Sequence, residues 1–433
     1  MGKLKLKIND FGLINNAEIN IGKINIISGV NSSGKSTASK ILYSFLFSLT
    51  KEAIDFDNIE IDQIWRDLDS FLRFNNYSNE NFLKDYLSLQ KIVKNDAINN
   101  FFNIDSFKKF LEKYENYVNN SKKLKSLVNS LVFRLELIND LNNRRSFLFE
   151  KTLENEFKHE CFYGEKSSLS LCNSEGGFTV DFKSNDSPNK LKSKYSNFAF
   201  PVFNVFYLET PFIFEITEGW TNPIDEYLGG SFPYHYISLI SKLHRNTNFK
   251  KQIFNYNTIQ NNDNPIDVIQ NIMNGKIIYD NNHYKFIYET DNSNQYNINN
   301  IALGIKSIGI LQSLLIDGLD NNSFIIMDEP EVHLHPSWQV DLAHAIVLLS
   351  KYENINFYIN SHSPQFIEAI DVFSEKYELE NETNFYYTVK LKGSNKFDFI
   401  ELDHGELEIL YQDLSKSYNE IDEVRAENFA KKF

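Results

Sequence analysis

The sequence predicts an α/β fold, a mixed sheet core flanked by helices, interrupted by a helical insertion and a β-rich lobe. Three observations carry that prediction. A glycine-rich loop at residues 29–37 stands between an apolar run and a helical pattern, the strand–loop–helix order of a phosphate-binding unit. Two further apolar runs, at residues 323–327 and 356–360, each end in chemistry-bearing residues and then give way to a helical stretch. Between these flanks the apolar period shifts from 3.6 to 2, marking inserted helices and then inserted strands.

The elements follow in order. Residues 1–50 form the N-terminal part of the core. Leu4, Leu6 and Ile8 alternate with Lys5 and Lys7, Asp10-Phe11-Gly12 turns the chain, and residues 17–21 extend again. Ile24, Ile26 and Ile27 lead straight into Gly29, and after the loop Ile41, Leu42, Phe45, Leu46 and Leu49 share one helical face. Residues 51–160 read as a helical insertion. Ile61, Ile64, Trp65, Leu68, Phe71 and Leu72 repeat at three and four, as do Phe107, Phe110, Leu111, Tyr114 and Val118, then Leu124, Leu127, Leu131 and Leu135. The period breaks too often for a long coiled coil, so a packed helical subdomain is expected rather than a partner-binding arm. Residues 161–300 read as a β-rich lobe. It holds a hairpin at 168–182 around Gly176-Gly177, a strand at 205–208, a helix near 236–243, and a hairpin at 276–288 around Asp280-Asn281-Asn282. Residues 301–433 return to strand–helix alternation and end in a charged helix. No internal repeat is present.

Composition sets outer limits. At 433 residues, 24% charged and 42% hydrophobic, the chain has room for two to three units with cores of their own. No apolar run approaches the roughly 20 residues that span a bilayer. Lys3, Lys5 and Lys7 alternate with a strand pattern and precede no apolar h-region, so no membrane association and a cytoplasmic location are expected. Cys161 and Cys172 lie in no C-x-x-C pair and read as reduced thiols. A net charge of −14, from 58 acidic and 44 basic residues, argues against a surface coated for non-specific DNA binding.

Gly29, Val30, Asn31, Ser32, Ser33, Gly34, Lys35, Ser36 and Thr37 match G-x-x-x-x-G-K-[ST] in full. Small residues let successive N–H groups curl around phosphates, and the helix start adds positive dipole. ATP is the expected ligand, with Lys35 on the β- and γ-phosphates and the Ser36 hydroxyl on Mg²⁺. The strand at 323–327 ends in Asp328 and Glu329. A carboxylate there can hold the hydrated Mg²⁺, and its neighbour can polarise the attacking water, so Asp328 is read as the metal residue and Glu329 as the general base. The strand at 356–360 leads to His362, with Ser363 as a helix cap and Pro364 at the first helical position. At that sheet edge His362 can donate to the γ-phosphate.

These residues together resemble the ABC-type P-loop ATPase head, in the RecF/SMC/OLD branch of that family. The tag is Asp328-Glu-Pro-Glu-Val-His-Leu-His-Pro336 followed by Trp338-Gln339, similar to bacterial AAA-type ATPases of anti-phage systems. A strand ending in Glu-[Ser/Thr]-Pro belongs to the same pattern and matches Glu209-Thr210-Pro211. The resemblance covers residues 1–50 and 200–370 well and the insertion poorly. It implies two heads sandwiching ATP in a homodimer or higher homo-oligomer, a signature segment of one closing on the nucleotide of the other. The corresponding segment is Ala302-Leu303-Gly304-Ile305-Lys306-Ser307, which departs from L-S-G-G-Q at the serine and the second glycine. Gly304 and the helix start still fit, Lys306 is expected to supply charge to the second head, and Ser307 completes the segment; hydrolysis is expected to be slow. Glu209 is read either as the Q-loop residue near the metal or as a structural residue at a strand end. His333 and His335 form an H-x-H pair without a third ligand in view, read as part of the loop after Asp328-Glu329.

The function implied is a nucleotide-driven switch in anti-phage defence. About sixty residues after the His362 helix carry no acidic nuclease cluster, so a separate effector, nuclease or toxin, is expected. The rival reading is a DNA repair or maintenance ATPase that clamps DNA, with DNA contact through a basic groove. A nuclease working through Asp403-His404 or the H-x-H pair ranks below it, and a transporter subunit lowest.

Overall fold

The computed structural model describes residues 4–74, 81, 84–89, 91, 104–114, 118, 121–158, 163–182, 192–195, 204–219, 232–244, 264–280, 282–316, 319, 322–414 and 416–430. Cys161 and residues 183–191 of the expected lobe lie outside them. The chain divides into two compact units, Met1–Thr50 with Thr152–Phe433, and Lys51–Lys151.

The first unit begins with β1 (Leu4–Phe11), β2 (Ile14–Ile21) and β3 (Ile24–Gly29), then α1 (Lys35–Leu49). In β1 the alternating Leu4, Leu6 and Ile8 are buried, as its period demands. Every residue of β3 is buried, the pattern of a strand covered on both faces. Helix α1 differs from a one-faced reading: Tyr43, Ser44, Phe47 and Ser48 are buried along with Ile41, Leu42, Phe45 and Leu46. A helix covered all round belongs to the interior. Phe45 meets Phe178 edge-on at 5.3 Å, and Tyr43 packs against His235 at 5.9 Å.

The second unit holds α2 (Lys51–Phe74), α3 (Ile104–Lys113) and α4 (Lys122–Ile138), with most of α5 (Leu141–Glu156). Trp65, Leu68, Leu72, Leu124, Leu131 and Leu135 form its core, the residues that repeat at three and four in the sequence. The fully buried Asp57 side chain is paired with Arg134 and, at 2.7 Å, with Arg144. The unit ends at Lys151 rather than near residue 160. The last turn of α5 and Phe157 pack in the first unit, where Phe157 meets Phe11 at 5.6 Å.

The first unit continues with β4 (Tyr163–Cys172), β5 (Gly177–Asp181), β6 (Lys192–Tyr195), β7 (Val205–Leu208), α6 (Ile213–Ile216), α7 (Tyr234–Leu243), α8 (Pro265–Met273), β8 (Gly275–Asp280), β9 (Lys285–Thr290) and β10 (Gln295–Asn297). The stretch read as one β-rich lobe is shared between two sheets. Strands β4, β5 and β6 extend the main sheet beyond β1, β7 closes its other edge, and β8, β9 and β10 make a separate sheet. Periodicity marks strands but not their partners, because pairing is set by distant residues.

The remaining elements are α9 (Leu303–Ile316), β11 (Phe324–Asp328), α10 (Pro336–Glu353), β12 (Asn356–Asn360), α11 (Pro364–Lys376), β13 (Thr383–Lys390), β14 (Phe397–Leu402), α12 (Leu407–Leu414) and α13 (Lys416–Ala430). The main sheet runs β6-β5-β4-β1-β2-β14-β13-β3-β12-β11-β7. Its segment β13-β3-β12-β11-β7 is parallel throughout, so the carboxyl ends of these strands share one edge. Helix α9 lies on the small sheet, where a Cβ on Gly309 would stand 2.1 Å from Ile277 Cδ1. Gln312 holds the contact, donating to the Gly275 carbonyl at 3.0 Å and accepting from the Ile277 N–H at 3.1 Å.

A close approach between strands lies at the end of β3. Gly29 pairs with Thr388 of β13, has φ 137°, and leaves 1.8 Å between an added Cβ and Thr388 Oγ1. Gly29→Ala is therefore expected to destabilise the first unit by about 2–4 kcal/mol, through backbone strain and steric overlap together. Urea unfolding checks this, and an unchanged midpoint would show that the two strands can part without loss. Among the described residues no helix is long and apolar enough to cross a membrane.

Candidate functional site: the phosphate loop and the acids of β11

The loop after β3 alternates backbone handedness, with Gly29 at φ 137°, Ser32 at 58° and Gly34 at 96°. Such alternation turns successive N–H groups to one side and makes an anion-binding concavity at the start of α1. Gly34 has no room for a side chain, since a Cβ would stand 2.7 Å from Ile14 Cγ1. Buried Ser33 accepts from Thr388 Oγ1 at 2.8 Å, whereas Val30, Asn31, Ser32 and Ser36 are exposed and Thr37 half-buried. Lys35 is 5% exposed and donates to the carbonyls of Gly29 (3.1 Å) and Val30 (2.9 Å). Burial holds its ammonium below the usual lysine range, against the pull of Glu329, Asp328 and Glu331.

The two acids stand where β11 ends. Asp328 Oδ1 accepts from Asn360 Nδ2 at 2.6 Å and Oδ2 from the Tyr207 hydroxyl at 3.0 Å. Asn360 is its register partner on β12 and also donates to Ser39 of α1 at 2.8 Å, tying both strands to the phosphate-loop helix. Glu329 takes φ 49°, donates its N–H to the Asn360 carbonyl at 2.9 Å, and leaves its side chain 44% exposed. That backbone turns the chain off the strand and presents the carboxylate at the sheet edge.

His362 follows β12. Its Nε2 lies 3.3 Å from Glu329 Oε1, outside hydrogen-bond alignment. Burial, and then the Lys35 charge, push the imidazole down to about 4, against Asp328. Lys35, Asp328, Glu329 and His362 thus meet at one edge, from segments as much as 327 residues apart in sequence. The folded imidazole stays neutral where an unfolded one, near 6.5, gains a proton, so this group withdraws stability as pH falls from 6.5 to about 4. An imidazole NMR titration of the full chain, with His362→Gln assigning the signal, is expected to show His362 neutral above pH 6; a midpoint near 6.5 would rule out the burial seen here.

Glu209 follows β7. Its carboxylate lies 3.4 Å from Lys40 Nζ and 3.3 Å from His235 Nε2, and accepts from the Tyr236 hydroxyl at 2.9 Å. Burial alone would raise it, but the His235 and Lys40 interactions outweigh that and hold it at about 2. His235 is fully buried, and its Nδ1 is 2.5 Å from Glu156 Oε2. Three protein partners thus occupy the carboxylate expected near the metal. Glu209 nevertheless shares a cavity of about 320 Å³ with Asp328, Glu329 and Ser307, so it borders the site.

The signature segment is engaged within its own chain. Lys306, expected to supply charge to a second head, is 2% exposed and ion-paired with Glu215. Ser307 Oγ donates to the Leu303 carbonyl at 3.1 Å, a bond inside α9. Gly304 packs against the loop after β11, where a Cβ would stand 2.6 Å from the His333 carbonyl oxygen. His335 caps α10, accepting from the Ser337 N–H at 3.3 Å. Asp403 and His404 are drawn to different partners. Asp403 accepts within a capping box with Glu406, and His404 Nδ1 lies 2.5 Å from Asp371. Tyr207, Asn360, Glu331 and Gln339 carry no assigned role in the sequence pattern, yet each bonds to a residue of the site or of its flanking turn. The signals for two of them were present, Asn360 directly before Ser361-His362 and Glu331 inside the Asp328–Pro336 stretch.

A family model described as AAA ATPase domain matches residues 3–367. The chain belongs to the AAA ATPase domain family. This ATPase is similar over 67 residues, at 36% identity, to a protein named Retron Ec83 probable ATPase from Escherichia coli, a match covering 15% of the chain and 12% of the relative. It is similar over 92 residues, at 28% identity, to one named Retron Vc95 probable ATPase from Vibrio cholerae serotype O1 biovar El Tor, covering 21% and 17%. The matches thus span less than a fifth of either relative. Among solved structures, the ATPase is similar to the SMC head domain from Thermotoga maritima, with TM-score 0.40, 9% identity, and 93% and 100% of the two chains covered. Another is an ATP-binding cassette of an ABC transporter in its ADP conformation, with TM-score 0.35, 12% identity, and coverage of 96% and 95%. Both scores fall below one half, so the sheet order described above, not these likenesses, carries the fold.

Proposed function

We propose that this ATPase is a nucleotide-driven switch whose heads close over ATP in pairs and part after hydrolysis. The observation that carries the reading is the meeting of Lys35, Asp328, Glu329 and His362 at one sheet edge, beside a loop shaped for phosphates. In this reading Lys35 and the loop N–H groups hold the phosphates, Glu329 polarises water, and His362 donates to the γ-phosphate as a neutral imidazole. The donor set fits Mg²⁺. Asp328 is aimed by Tyr207 and Asn360, and the Ser36 hydroxyl is exposed at the start of α1. Mg²⁺ is commonly held by one or two carboxylates together with phosphate and water. When bound, Mg²⁺ would neutralise charge on the phosphates.

Val30 is 48% exposed and Val332 41%, on the loops that flank the site. The first turn of α9, with Gly304, is the part of the signature segment that would meet the second head's nucleotide, Lys306 being paired with Glu215. Closing works through the higher affinity of ATP for the paired state. The likeness to proteins named as retron ATPases, with the anti-phage resemblance of the Asp328–Pro336 stretch, supports a role in defence beside a separate effector. Sedimentation velocity of the full chain tests the pairing: a mass that rises with ATP and Mg²⁺ supports it, and one mass under all conditions sinks it.

A further inference from the structure

The clearest unassigned group lies two residues beyond the general base. Glu331 is 5% exposed, and its Oε1 accepts three hydrogen bonds: from Ser361 Oγ at 2.7 Å, the His362 N–H at 2.8 Å and the Ser363 N–H at 3.2 Å. All three donors belong to the turn between β12 and α11. Buried backbone N–H groups in such a turn need an acceptor, and without one each loses its partner at a cost. A second tie runs alongside. Gln339 donates to the Leu334 carbonyl at 3.2 Å and accepts from Ser363 Oγ at 2.6 Å, and Ser363 in turn caps α11.

We infer that Glu331 is a positioning residue for His362, a carboxylate clamp that fixes the turn from which the imidazole faces the γ-phosphate. The inference rests on the reading of the phosphate loop and β11 acids given above. Acid and clamp share one loop, so the orientation of His362 follows any movement of residues 329–331. The clamp needs one acceptor oxygen. Glu331 Oε2 is buried without a hydrogen-bond partner, and nothing in the three contacts requires a second charged oxygen.

Single-turnover hydrolysis and ATP affinity of the full chain test the clamp. Glu331→Gln keeps the accepting oxygen and is expected to stay within about 3-fold of wild type. Glu331→Ala is expected to slow hydrolysis on the order of 10- to 100-fold at unchanged ATP affinity, the usual effect of losing an orienting partner. In the His362→Ala background the same change is expected to add nothing, because both act through one imidazole. Additive losses, a change in affinity instead of rate, or a Glu331→Gln enzyme as slow as Glu329→Gln would overturn the assignment. If Glu331→Ala does not fold, Glu331→Asp keeps the charge but withdraws the oxygen by one methylene, and full activity there overturns it equally. Lys35→Ala in the same assay separates the two levels: retained ATP affinity would sink the site reading itself, whatever Glu331 does.

Discussion

Lys35→Ala is expected to weaken ATP binding by about 2–5 kcal/mol, roughly 30- to 5,000-fold, the range seen when one partner of a buried charge pair is truncated. The size follows from the surroundings of the ammonium. Lys35 is nearly buried and sits within the field of Asp328, Glu329 and Glu331. Without it, the fields of Asp328, Glu329 and Glu331 are no longer offset by the lysine, and repulsion of the phosphates adds to the lost contact. The fold should survive, because the Nζ contacts are to the carbonyls of Gly29 and Val30 in the same loop and not to another layer. Calorimetric titration with ATP reads the effect, with thermal unfolding as the control. Wild-type affinity in a folded variant would refute the phosphate-loop assignment.

Glu329→Gln is expected to lower hydrolysis on the order of 10²- to 10⁴-fold while leaving ATP binding intact, the contribution typical of a positioned general base. The amide keeps the shape of the side chain and the left-handed turn at φ 49°, so the effect isolates the proton-accepting oxygen. With hydrolysis stopped, the paired state proposed above should persist for as long as ATP is present. A variant that hydrolyses at the wild-type rate removes Glu329 from the chemistry. One that is inactive yet never pairs keeps the base and removes the lid. The contrast with Glu331→Gln, which should remain active, makes two neighbouring glutamates of one motif distinguishable by a single atom.

The phosphate loop, the acids of β11 and the histidine after β12 were legible because each is a short, contiguous stretch whose chemistry depends on local order. Gly29, Gly34 and Lys35 are dictated by the turn and the charge that phosphates require, wherever the loop lies in the fold. The helical insertion was legible for the same reason, since a period of 3.6 over Ile61 to Leu72 needs no knowledge of partners. The partners of Glu331 and Asn360 were not, although both residues stand within or beside the motifs. Each acts by reaching another segment, Glu331 to the turn at Ser361 and Asn360 to Ser39, and no spacing in the sequence encodes such a reach.

The amino-acid sequence by itself determined the family and the candidate phosphate loop, acid and base, because backbone conformation and side-chain charge act over a few residues. Only the tertiary structure decided which strands share an edge, that Lys306 is tied to Glu215, and that Glu209 is held in a half-buried cluster with Lys40 and His235. A charge takes whichever partner folding brings within a few ångströms. That partner is set by long-range packing, on which local pattern is silent.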